Sequence, residues 1–134
     1  MLPPKTLALF CYHVGQLDDT DARDARYFGR GIGARLLDEA VAWARNAGFA
    51  AIVAKGLTSL RPVIEYMGGL SAAAYAEHHF VDAARYHDPG LRAALGEMLE
   101  GRYGEARQTA LRKTVEAGAD LDEAAQIAVC VRRM

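Results

Sequence analysis

The stretch RYFGRGIGARLLDEAVAWARNAGF, residues 26–49, puts Gly29, Gly31 and Gly33 within five positions and runs straight into an apolar pattern of helical spacing. Glycine-rich backbone ahead of a helix suits one chemistry above others. Successive N–H groups can turn toward one point, and the helix N-terminus adds a partial positive charge there. Such a point binds phosphate. Gly29, Arg30, Gly31, Ile32, Gly33 and Ala34 are therefore the candidate anion-binding residues, with Arg30 adding a full charge inside the turn. The plain alternative is that the glycines only let the chain turn tightly. Neither familiar nucleotide loop fits as well: GRGIGA lacks the final spacing of the dinucleotide fingerprint, and no Gly-Lys-Ser/Thr follows. Elsewhere, Glu77, His78 and His79 have no metal-ligand spacing, and no metal is expected. Cys11 and Cys130 are far apart, match no metal pattern either, and read as buried thiols.

The elements that must position these residues follow from periodicity. Residues 7–17, LALFCYHVGQL, form a nearly continuous apolar run, which predicts a central strand covered on both faces. Residues 18–27 are charged and aperiodic, hence a loop. From Gly33 to Ala47, Leu36, Leu37, Ala40, Val41, Ala44 and Ala47 fall on one stripe, opposite Arg35, Asp38, Glu39, Arg45 and Asn46, so the spacing predicts an amphipathic helix ended by Gly48. FAAIVAKGL, 49–57, reads as a second buried strand joined to the first by a parallel crossover. TSLRPVIEYMGGL reads as a loop with a turn of helix. Ser71 is a good N-cap for a short helix over SAAAYAEHHF. VDAARYH then reads as a strand, Pro89 to about Ala117 as helix broken near Gly101 and Gly104, and AAQIAVCVRRM as a terminal strand. The class expected is α/β or α+β with a mixed sheet.

Composition sets the outer limits. The chain of 134 residues is one domain's worth, and 51% hydrophobic with 25% charged residues is ordinary for a folded domain. With 16 Lys plus Arg against 17 Asp plus Glu there is no global charge to attract nucleic acid or an anionic membrane, so anion binding must be local. MLPPKTLALFCYHVGQL has no basic leader or small-residue cleavage site, and no run approaches 18 uninterrupted apolar residues. The expectation is a cytoplasmic protein.

The segment FGRGIGARLLDEAVAWARNAGF resembles the acetyl-CoA signature of GNAT-type N-acetyltransferases, Arg/Gln-x-x-Gly-x-Gly/Ala opening a helix after a central strand. Gly31 and Gly33 match its glycines; Phe28 stands where Arg or Gln is usual. Downstream, YAEHHF is similar to the family's Tyr-x-x-x-Gly-Phe, with Tyr75 and Phe80 aligned and His79 in place of the glycine. The resemblance covers residues 7 to about 87, an acetyl-CoA-binding core within a single GNAT-like domain over 1–134. Residues 88–134 add a helical segment and the terminal strand.

The resemblance implies a V-shaped opening between the strands at 7–17 and 49–57, with pantetheine in it and pyrophosphate on the amides of 29–34. It also implies acetyl transfer from the thioester of acetyl-CoA to a small-molecule or peptide amine. That reaction needs a base, donors for the developing oxyanion, and an acid for the leaving thiolate. Tyr75 holds the family position of the acid. His13 has the unperturbed pKa range of a base, with Asp18 and Asp19 as alternatives. The family strand order puts 49–57 between the other two strands, separating Cys11 from Cys130 by about 9–10 Å, beyond disulfide reach. Family members usually place three strands and two helices ahead of the strand read at 7–17, lining the acceptor site. The expectation is therefore a cofactor half that either is completed across its free sheet edge by a homodimer or a partner chain, or is a fragment of a longer protein. A CoA- or nucleotide-binding module without efficient transfer stays open as the alternative.

Overall fold

The computed structural model describes residues 2–12, 24–27 and 29–134. Along them run β1 (Thr6–Leu9), α1 (Ile32–Asn46), β2 (Ala51–Gly56), α2 (Arg61–Met67), α3 (Ala72–Glu77) and β3 (Val81–His87). They are followed by α4 (Pro89–Leu99), α5 (Glu105–Glu116), α6 (Leu121–Ala124) and β4 (Gln126–Arg133), and a 3-10 turn at Ala25–Tyr27 precedes α1. The strands form one mixed sheet in the order β1-β2-β4-β3. β1 and β2 are parallel, joined through α1, and β4 is antiparallel to both of its neighbours. The class is mixed α/β. No helix among the described residues is long and apolar enough to cross a membrane.

Two cores hold these elements together. Leu37, Val41 and Ala44 on one stripe of α1 pack with Ile52 and Ala54 of β2, Tyr75, Phe80, and Ala128 and Cys130 of β4. A second core joins Leu57, Val63, Leu91, Leu95, Met98, Leu111, Ala124, Ala125 and Ile127. Ile127 and Ala128, on opposite faces of β4 by strand alternation, belong to different cores. β4 is thus covered on both sides and sits between β2 and β3.

This corrects the expectation for the first strand. The run 7–17 reads as central, yet β1 pairs over Thr6–Leu9 only and lies at the sheet edge. Apolar content reports burial, which Leu7 and Leu9 obtain from the first core; it does not report neighbours. Past Leu9 the chain leaves β2, Phe10 is 76% exposed, and the Tyr12 N–H donates to the Gly68 carbonyl at 2.6 Å. Residues 13–17 lie outside the described residues. Cys11, expected to be buried in that strand, is exposed beyond its end, while Cys130 is buried; no disulfide joins them. Leu36, expected on the buried stripe of α1, is 46% exposed.

The end of α3 shows why its sequence ends as it does. The His79 N–H donates to the Ala76 carbonyl and the Phe80 N–H to the Tyr75 carbonyl, while the Tyr75 and Phe80 rings meet at 5.1 Å. This is a Schellman cap with its hydrophobic contact. The cap needs a left-handed residue, and His79 supplies it at φ +67°. Holding a side chain there costs about 1 kcal/mol. His79→Gly is therefore expected to stabilise the fold by about 0.5 kcal/mol after glycine's own entropy cost, and His79→Val to destabilise it by about 1–2 kcal/mol. Urea unfolding midpoints check both signs.

Candidate functional site

The glycine turn is built to leave amides unpaired. Gly29 and Gly31 both have φ +70°, and Arg30 between them has negative φ. This alternation of hand turns neighbouring N–H groups to one side, the geometry of an anion-binding nest. Gly31 is also the N-cap of α1 and carries no side chain to cap it. The first intrahelical bond at this end is from the Arg35 N–H to the Gly31 carbonyl, so the amides of Ile32, Gly33 and Ala34 have no helical acceptor. No acidic side chain in the first turn offsets the positive end of the 15-residue helix.

All six residues expected to bind an anion, Gly29, Arg30, Gly31, Ile32, Gly33 and Ala34, line one cleft of about 700 Å³. That is the size of a small-molecule site. The opposite wall is α2, through Arg61, Ile64, Glu65, Tyr66 and Met67, and Arg107 reaches in from α5. Cys11, Tyr12, Tyr27, Gly68, Gly69 and Leu70 complete the lining with Ser59. Among the described lining residues three arginines face one carboxylate, in a chain whose overall balance is −1. The positive charge is local.

Between the continuations of β1 and β2, where the resemblance implies an opening, runs the chain itself. Tyr12 bonds to Gly68, the Leu57 N–H donates to Leu70 at 3.0 Å, and the Ala72 N–H donates back to Leu57 at 2.8 Å. The backbone of 68–71 bridges the two strand ends, and the cleft lies against that bridge.

Tyr75 is placed one layer deeper than the cleft. It is 1% exposed, and its hydroxyl donates to the Tyr12 hydroxyl at 3.0 Å. Tyr12 is the member of the pair that borders the cleft, a place that no motif or spacing marks in the sequence. Burial raises both phenols above their ordinary range, and the bond that Tyr75 donates raises Tyr75 further while it lowers Tyr12. His13, Asp18, Asp19 and Phe28 lie outside the described residues. His78 pairs through Nδ1 with Asp38 of α1 at 2.8 Å, and its carbonyl accepts from Arg132 at 2.7 Å, which ties α3 to α1 and β4. Among the described residues no group of three or more His, Cys, Asp or Glu could hold a metal ion.

The buried phenol gives a pH expectation. Tyr75 in the folded chain keeps its proton above pH 10, where an unfolded tyrosine loses it. Its contribution is therefore fully present below about pH 10 and is lost as pH rises toward its higher folded value. Stability is expected to fall above pH 10 by up to about 1.4 kcal/mol per pH unit from this residue. Tyr75→Phe flattens that slope and costs about 1 kcal/mol at neutral pH from the lost hydrogen bond. Urea titrations at pH 7 and above 10 measure both.

No protein-family model, curated protein or solved structure matches the chain. What the site can do rests on its own geometry and on the motif resemblance.

Proposed function

We propose that the cleft binds acetyl-CoA, with the pyrophosphate on the amides of residues 29–34, and that the protein is an acetyl-CoA-dependent N-acetyltransferase. The observation that carries this reading is the left-handed glycine pair 29 and 31 at the uncapped N-terminus of α1, opening on a cleft with a local excess of arginine. Two further features support it. β2 lies between β1 and β4, as the family strand order has it, and His79 takes the left-handed conformation at the position where the resembled motif has glycine. In the transfer, the amine nitrogen forms a bond to the thioester carbonyl carbon and the carbon–sulfur bond breaks. The sulfur gains a proton and the nitrogen loses one. Tyr12, which lines the cleft, is the donor for the sulfur, and Tyr75 positions its oxygen.

A second reading is a CoA- or nucleotide-binding module without efficient transfer. It is favoured by one observation, the backbone bridge of 68–71 across the strand ends where pantetheine would run. Calorimetry with acetyl-CoA tests the binding step common to both, and absence of binding overturns both. Thiol release with a panel of primary amines separates them. Binding without thiol release would leave the module.

A further inference from the structure

The glycine turn accounts for one anionic group on a ligand, yet the cleft holds more charge than one group needs. Arg30 belongs to the turn itself. Arg61 and Arg107 belong to the opposite wall, on α2 and α5. Val63 of α2 and Leu111 of α5 are both fully buried in the same core, and the Tyr66 ring of α2 meets the Tyr103 ring, in the turn just before α5, edge-on at 5.2 Å.

The two arginines differ in their commitments. Arg61 is exposed and its Nε is bound to Glu65 at 2.7 Å. Arg107 is half-buried, and among the described residues it makes no hydrogen bond or ion pair, while Arg26, Arg85, Arg92 and Arg102 each have a carboxylate. Arg30, Arg35, Arg45 and Arg112 likewise have no carboxylate partner among the described residues, but they are exposed, and Arg107 is the partly buried one. Here it faces a cleft whose only described carboxylate is already engaged by Arg61.

We propose that Arg107, flanked by Arg61, forms a second anion site that takes a phosphate monoester on the ligand, separate from the pyrophosphate on the glycine turn. A monoester carries between 1.5 and 2 negative charges near neutral pH and matches the planar fork of arginine. On CoA that group is the 3′-phosphate of the ribose. This rests on the acetyl-CoA reading above and adds to it a residue from the helical segment beyond the 7–87 core. It makes the protein selective for CoA over ligands that end in an unphosphorylated ribose.

The test is isothermal calorimetry with CoA and 3′-dephospho-CoA on the wild-type chain and on Arg107→Gln, with circular dichroism to confirm the fold. Wild type is expected to bind CoA about tenfold more tightly, the worth of one partly screened charge-assisted contact. Arg107→Gln is expected to level the two affinities to within about twofold, with a much larger loss for CoA than for dephospho-CoA, and Arg107→Lys to keep part of the preference. The wild-type preference is expected to shrink with added salt. Equal wild-type affinities overturn the second site and leave the CoA reading intact. An equal loss for both ligands in Arg107→Gln assigns Arg107 to the pyrophosphate and also overturns it. If neither ligand binds wild type, the CoA reading fails and this inference fails with it.

Discussion

On the acetyl-CoA reading, Gly31→Val is expected to weaken acetyl-CoA binding at least a hundredfold while the fold persists. Gly31 sits at φ +70°, where a β-branched residue is strained by about 1–3 kcal/mol. No described residue has an atom within 4 Å of a Cβ placed there, so the substitution meets no steric wall among them. Its damage falls on the turn: relieving the strain rotates the peptide planes on either side, and the amides at the start of α1 stop converging. Two charge-assisted hydrogen bonds lost at about 1.5 kcal/mol or more each give that factor. Gly33→Ala is the contrasting change. Gly33 is helical, its Cβ would meet Leu70 Cδ2 at 3.4 Å, and alanine favours the helix by about 1 kcal/mol over glycine. It is expected to bind acetyl-CoA within a few-fold of wild type. Undiminished calorimetric binding by Gly31→Val, with unchanged circular dichroism, would remove the glycine turn from the site.

The glycine half of the cleft is legible in the sequence because its logic is local. Gly29, Gly31 and Gly33 fall within five positions, and the start of an amphipathic helix can be read from the same window. The opposite wall is not local. Arg61 and Arg107 share a cleft because α2 and α5 bury Val63 and Leu111 in one core, with Tyr66 against Tyr103 of the turn before α5, and no spacing records that packing. The same division holds for the fold. β2, β3, β4, α1, α4 and α5 each carry a periodic pattern or a boundary residue long enough to read, and the Ser71 cap appears as expected, accepting from the Ala74 N–H at 3.1 Å. α6 covers four residues behind the Asp120 cap, too few for any period to register. β1 misleads for a different reason. Its apolar run continues past the point where Tyr12 turns to Gly68, so the pattern alone overstates the strand and hides which side chain reaches the cleft.

On the acetyltransferase reading, that last difference decides how the transfer reaction divides between two phenols. Motif position alone gives the proton to Tyr75, but Tyr75 is 1% exposed and spends its proton on Tyr12. On the acetyltransferase reading, Tyr12→Phe is expected to slow acetyl transfer by about 10²–10³-fold, the range of a positioned general acid, with acetyl-CoA affinity unchanged because the ring remains. Tyr75→Phe removes only the bond that holds the Tyr12 oxygen, and a loss of roughly tenfold is expected, with the stability cost already described. Burial holds Tyr12 above the ordinary phenol range, so in wild type the acid stays protonated at neutral pH and the alkaline fall in kcat begins above pH 10. In Tyr12→Phe that alkaline limb is expected to disappear from whatever rate remains. In Tyr75→Phe it persists at reduced amplitude, since Tyr12 still titrates. A full rate in Tyr12→Phe together with a large loss in Tyr75→Phe would return the acid role to Tyr75. It would also mean that the bond between the two hydroxyls breaks when acetyl-CoA binds.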